Sequence, residues 1–177
     1  MVYYFFAFGG KVKKIIKEIV PYVVIIIAVV LIRTFIVTPV IVVGDSMVPT
    51  LKDGQILLLN KLDYRFNEIE RYDIVVIQLE NGEIIKRVIG LPGENIEYKD
   101  NVLYINGQEE ETIYNFETED FTLKELFNYD EIPQNKYLVL GDNREISADS
   151  RGPIGLISIE DIKGSTTISL WPIKVIE

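Results

Sequence analysis

Hydrophobic positions change their spacing along this chain. From Ile15 it reads IIKEIVPYVVIIIAVVLIRTF, and Arg33 is the only charge between Ile19 and Val43. About 20 largely apolar residues cross a bilayer as a helix. Residues 15–35 are therefore predicted to span, with Lys17, Glu18 and Arg33 near the ends, where long side chains reach water. A cleaved signal peptide and a buried soluble helix compete with this reading. Against the first, the apolar run is long and no A-x-A-like site follows it. Residues 1–14 form a short N-terminal segment carrying Lys11, Lys13 and Lys14, and with Lys17 they favour that end inside and the rest outside.

Beyond Arg33 the residues turn β-branched, and Pro39 disfavours further helix, so Val40 to Val43 are expected to be extended. A strand starting there would hold the rest of the chain near the membrane surface. From this point the period is mostly that of strands. GQILLLNKL follows the turn signal Asp53-Gly54, while KYLVLGDN and TTISLWPI read as later strands. Asn81-Gly82 and Asn106-Gly107 are hairpin signals. Within an acidic stretch from Glu109 to Glu131, Thr122 and Glu125 form a capping-box pattern that opens one short helix. The expected fold is mainly β, a domain over 36–177 with a small insertion at about 95–134, behind one N-terminal transmembrane helix.

The first hairpin yields a specific expectation. A two-residue loop at Asn81-Gly82 pairs Glu80 with Glu83, Leu79 with Ile84, Ile77 with Lys86 and Val75 with Val88. One face then reads Val75, Ile77, Leu79, Ile84 and Val88, with Lys86 in its middle and Arg87 pointing away. Lysine is rarely buried without a reason. Either its stem packs while the ammonium reaches water, or the amine has work to do on that face.

Composition sharpens the second possibility. Among 177 residues there is no histidine and no cysteine. Ser-His-Asp and thiol chemistry are excluded, with the common zinc enzyme sites, although carboxylate-only metal sites stay open. A net charge of −9 without a basic tract beyond the N-terminus counts against nucleic acid as a main partner. In VVGDSMVPTL, Val42 to Leu51, Ser46 is either part of a turn or a nucleophile. Lysine can activate a serine when burial pulls its pKa, about 10.4 in water, toward neutrality. Ser46 and Lys86 thus form a chemically coherent pair.

Four blocks behind the anchor carry a family resemblance: GDSMVPTL (Gly44 to Leu51), RYDIVVI (Arg71 to Ile77), KRVIGLPGE (Lys86 to Glu94) and GDNREISADSRGPIG (Gly141 to Gly155). In this order they resemble the bacterial type I signal peptidases, membrane-bound Ser-Lys proteases that remove signal peptides from exported proteins. The GDSM form, single anchor and short insertion are similar to the Gram-positive branch. Endoplasmic-reticulum relatives have histidine in place of Lys86. The resemblance implies a signal-peptidase-like antiparallel β catalytic domain outside the cell membrane, with Ser46 as nucleophile and Lys86 as general base. Ser147 is implied to orient the amine and Asp149 to belong to a nearby ionic network paired with Arg151. Asp142, in the same block with Asn143 and Arg144, is read mainly as loop scaffold. Val40, Val42, Met47 and Leu51 match pocket positions that accept small side chains at the first and third residues before the cut, although core packing explains them equally. Some members have a serine where this chain has Gly44, and its hydroxyl helps the oxyanion hole, so the backbone N–H of Ser46 is the obvious remaining donor here, with a water or another amide as the alternatives. No metal or organic cofactor is implied. Secretory preproteins and membrane lipid are the expected partners, nucleic acid is not, and the expected state is a monomer. The rival readings are an inactive membrane-anchored paralogue that binds signal peptides and a repressor-type Ser-Lys peptidase. The anchor and the lack of a DNA-binding segment count against the latter.

Overall fold

The computed structural model describes residues 3–112, 114 and 116–176. Two compact units emerge, Met1–Val37 and Thr38–Glu177. The first is a helix, α1 (Tyr3–Phe35), which starts well before the apolar run, so most of the expected 1–14 segment is helical and only its first two residues lie outside the described ones. The window Ile15–Phe35 has mean hydropathy 2.7, and its side chains are exposed throughout, which suits lipid. Pro21 sits inside α1 and removes one intrahelical hydrogen bond.

Among its described residues the second unit holds twelve strands, two short α-helices and one 3-10 turn (Ile159–Asp161). In chain order the strands and α-helices are β1 (Val37–Ile41), β2 (Ile56–Asn60), α2 (Asp63–Phe66), β3 (Ile74–Leu79), β4 (Gly82–Gly90), β5 (Ile96–Lys99), β6 (Val102–Ile105), β7 (Gln108–Glu109), β8 (Phe121–Thr122), α3 (Leu123–Phe127), β9 (Lys136–Leu140), β10 (Ile157–Ser158), β11 (Ile162–Trp171) and β12 (Ile173–Val175). The large sheet has the order β1-β2-β11-β3-β4-β9-β10, with β12 on β11, and the small one β7-β6-β5-β8. Pairs from β2 to β10 are antiparallel, as are those of the small sheet. The fold is therefore mainly β behind one apolar helix, as the pattern predicts.

The centre of the large sheet is buried on both faces. Val75, Ile77 and Val88 pack with Tyr137, Val139 and Ile157 on one side. Ile74, Val76 and Ile85 pack with Val42, Met47, Leu51, Leu57 and Leu59 on the other. A third cluster, including Ile89, Ile96, Leu103, Leu138 and Leu140, joins β9 to the small sheet.

The β3–β4 register differs from the expected one. Leu79 pairs with Gly82, Ile77 with Ile84 and Val75 with Lys86. The sequence pattern pairs Ile77 with Lys86 and Val75 with Val88, so each partner has moved by two. A type I′ loop at Asn81-Gly82 needs positive φ at both residues. Only Gly82 has it, at 133°, so Asn81 turns with Glu80 and the glycine opens the strand. A shift of two preserves the side-chain face, and Lys86 keeps its apolar neighbours. The Thr122–Glu125 capping box is present, with Thr122 Oγ1 accepting from the Glu125 N–H at 3.1 Å. The Asn106-Gly107 hairpin also forms, pairing Ile105 with Gln108.

Candidate active site

The strand β1 leads into the segment that holds Ser46. Val42 is clamped to its return, its N–H donating to Gln55 O at 2.8 Å and its C=O accepting from the Gly54 N–H at 3.0 Å. Gly44 comes next but one with φ of 83°, in the left-handed region, and donates its N–H to Asp53 Oδ1 at 2.7 Å. That φ explains glycine at this position, because any L side chain there is strained. A tight turn comes after it, with the Val48 N–H on Asp45 O at 3.1 Å and the Leu51 N–H on Met47 O at 2.8 Å. Met47 and Leu51 are 1% and 0% exposed, so the turn is pinned from below while Ser46 stays partly open.

Lys86 approaches from β4, and its Nζ donates to Ser46 Oγ at 2.8 Å. The residue is only 3% exposed. Burial pulls the amine below the usual lysine pKa, while the carboxylates of Asp149 and Asp142 act against that shift. No salt bridge to Lys86 occurs among the described residues. A buried, unpaired amine hydrogen-bonded to a hydroxyl can exist neutral and take the hydroxyl proton.

The segment after β9 completes the arrangement. Asp149, 1% exposed, accepts the Gly141 N–H on Oδ2 at 3.0 Å and two guanidinium bonds from Arg151, both at 3.0 Å. Arg151 also donates to Arg144 O at 2.6 Å. Asp142 serves a different arginine: Arg87 donates to its two oxygens at 2.9 and 2.8 Å, and both side chains are buried. The expected Asp149–Arg151 pair is thus formed, and Asp142 anchors the strand of Lys86 from its opposite face. Ser147 lies in the same segment, its N–H on Asn143 O at 3.1 Å. Its hydroxyl is buried without a hydrogen-bond partner, so it makes no bond to Lys86.

A cleft of about 490 Å³ opens beside the Ser46–Lys86 contact, lined by residues 38–43, Ser46, Met47 and residues 83–86. Val40, Val42 and Met47 are wall residues. Leu51 is not: it lies fully buried in the cluster beneath. One side of the cleft is β1, the terminal strand of the large sheet, and the other is the first half of β4, where pairing with β9 starts only at Arg87. Two strand edges therefore flank the serine.

Three residues shape the site in ways the sequence leaves unstated, although Arg144 is read there as loop scaffold. Arg87, 1% exposed, receives from the strand pattern only a direction. Gly141 has no room for a side chain: a Cβ there would lie 2.1 Å from Ser147 Oγ and 2.5 Å from Ser46 O. Arg144 is buried at 5%, with Nε donating to Gly141 O at 2.9 Å and its guanidinium over Tyr98 and Phe116. A carboxylate beside Arg87 is visible in the sequence only as the unplaced Asp142. The Gly141 constraint has no local signal, since it depends on two distant segments meeting.

Residues 13–171 match the family described as Signal peptidase, peptidase S26. The chain is 38% identical over 175 residues to signal peptidase IB of Staphylococcus aureus strain COL, covering 90% of this chain and 91% of that one. Signal peptidase I of Bacillus caldolyticus is 39% identical over 165 residues, covering 87% and 90%. A crystal structure of a signal peptidase I from Enterococcus faecalis V583 superposes with a TM-score of 0.51 at 36% identity, over 56% of this chain and 97% of that one.

Proposed function

This chain belongs to the signal peptidase family, peptidase S26, and from that premise we propose that Ser46 is its nucleophile and Lys86 its general base. The family makes it a membrane-anchored serine peptidase that cleaves signal peptides. One observation carries the residue assignment: the 2.8 Å contact between Ser46 Oγ and a lysine amine that burial biases toward neutrality.

The chemical steps derive from that pair. Neutral Lys86 takes the Ser46 proton as Oγ bonds to the scissile carbonyl carbon. Negative charge gathers on the carbonyl oxygen, facing the Ser46 N–H. Collapse breaks the C–N bond, and protonated Lys86 gives its proton to the leaving amine. Lys86, neutral again, then takes a proton from water, whose oxygen attacks the acyl-enzyme, and Ser46 recovers its proton. Asp149 and Arg151 hold the Gly141 end of the neighbouring loop. The unpaired Ser147 hydroxyl is the group assigned to receive the protonated amine.

A signal peptide enters extended, pairing with β1 and with the free half of β4. Its alternate side chains then face Val40, Val42 and Met47. Branched walls that close favour small residues one and three positions before the cut. The chain is placed with its N-terminus cytoplasmic, from the lysines ahead of the span, and its second unit outside. It acts as a monomer on preproteins in the membrane, with no part for nucleic acid.

The test is cleavage of a preprotein in liposomes by wild type, Ser46→Ala and Lys86→Ala, with sequencing of the new N-terminus. Loss of cleavage in both variants and a cut after small residues are expected. Turnover by either variant at the wild-type rate would remove the assignment.

A further inference from the structure

With glycine at position 44, the Ser46 N–H is the donor within this turn that can meet the developing oxyanion, so its direction matters more than in a chain with a second hydroxyl. That direction is set by one peptide plane. In a trans peptide the C=O of one residue and the N–H of the next point in opposite directions. Cis bonds among the described residues occur only before Pro49 and Pro172, so the Asp45–Ser46 bond is trans. Fixing the Asp45 carbonyl therefore aims the Ser46 N–H.

Two groups hold that carbonyl. The Val48 N–H binds it at 3.1 Å from within the same turn. From outside, Asn143 Nδ2 donates to Asp45 O at 3.2 Å, across 98 residues of chain. The Asn143 backbone N–H also donates to Ser46 O, at 3.0 Å, so a single residue grips the carbonyls on both sides of the serine. Its own carbonyl accepts the Ser147 N–H at 3.1 Å. The turn that carries the nucleophile is thus registered against the loop of Gly141 to Ser147, and Asn143 is the contact.

We infer that Asn143 is a positioning residue of the oxyanion hole, its side-chain amide holding the Asp45 carbonyl so that the Ser46 N–H points at the scissile carbonyl oxygen. The inference rests on the reading of Ser46 as nucleophile. It distinguishes the two halves of Asn143. The backbone bond to Ser46 survives any substitution, whereas the Nδ2 bond is lost in Asn143→Ala and in the near-isosteric Asn143→Asp, whose carboxylate repels the carbonyl.

Both variants are compared with wild type and with Ser46→Ala for kcat, KM and the pH dependence of peptide cleavage. Affinity is measured for two inhibitors of one sequence, a peptide aldehyde, which forms an oxyanion on Ser46, and the reduced-amide peptide, which has no carbonyl oxygen at the cut. Misplacement of about 1 Å costs roughly 10²-fold in rate. The expected result is a kcat lower by about that factor and a comparable loss of aldehyde affinity. KM, reduced-amide affinity and the position of the pH limb should not move. Equal loss for both inhibitors, a displaced pH limb, or unchanged kcat would overturn the inference. Failure of both variants to fold would overturn it too, by making the side chain a determinant of the fold. Wild-type activity in Ser46→Ala would instead remove the underlying reading of the nucleophile.

Discussion

At the scale of single residues, the site depends on a lysine held where it is uncomfortable. Burial lowers the Lys86 pKa, so the folded protein sheds that proton more readily than the unfolded chain. Below the folded pKa both states are protonated, and the buried charge exacts its full cost. As pH rises through the folded pKa, the cost is relieved and stability climbs, until the usual lysine pKa is passed. Activity must follow the same group, rising with pH as the amine becomes neutral. Lys86→Met should therefore cut kcat by about 10²–10⁴-fold, the contribution of a general base. It should also raise the melting temperature at neutral pH. A variant that melts earlier than wild type would contradict the buried-amine account. Gly141 offers a second prediction. Its missing Cβ leaves room for Ser147 Oγ and for Ser46 O, so Gly141→Ala should lower kcat by about 10²-fold through displacement of the nucleophile turn. Adding Ser147→Ala should not restore activity, because the Ser46 carbonyl is backbone. Recovery in the double variant would place the whole clash on Ser147.

At the scale of elements, the hairpin β3–β4 shows what a sequence can and cannot display. Its strands, its turn region and the face carrying Lys86 were legible, because strand side chains alternate with period 2 and a register change of two leaves every face in place. The register itself was not, because either Asn81-Gly82 or Glu80-Asn81 can close the loop and φ decides between them. The β5–β6 hairpin was missed altogether. Asp100 and Asn101 have φ of 50° and 65°, a turn these residues tolerate without glycine. Ser46 and Lys86 were legible as candidates through the absence of histidine. The Asp149–Arg151 pair was expected from the family resemblance, but the Arg87–Asp142 pair was not, since it joins two elements 55 positions apart. That buried pair is what fixes β4 to the loop after β9. Asp142→Asn leaves the Arg87 guanidinium buried against a neutral amide, and the loss should be about 3–5 kcal/mol. The urea midpoint measures it. Replacing both partners, as Arg87→Met with Asp142→Leu, should recover most of that stability, because no uncompensated charge remains. A loss below about 1 kcal/mol for Asp142→Asn would mean that Arg87 is satisfied without it, as in an exposed pair.

At the scale of the whole molecule, the division into two units assigns them different work. The span was legible from composition alone, because crossing a bilayer asks only for length and apolarity, and Ile15–Phe35 has both. The second unit owns the three apolar clusters of the β fold and every side chain of the proposed chemistry, from Ser46 to Arg151. A chain of residues 37–177 should therefore fold and keep the full-length urea midpoint. Val43, Trp171, Ile173 and Val175 stay on its surface, so the assay retains a neutral detergent. On a short soluble peptide its kcat/KM should equal that of the full chain, since nothing in the cleft is lost. On a preprotein inserted in vesicles, processing should fall by about 10²-fold or more, because tethering enzyme and substrate to one membrane raises their effective concentration. An unrelated apolar helix of the same 21-residue length as the natural span, with lysines ahead of it, should restore processing. The natural helix then matters as an anchor and not as a sequence. If the graft fails while peptide cleavage stays normal, the span must contact the substrate itself, and its residues would have to be counted with the site.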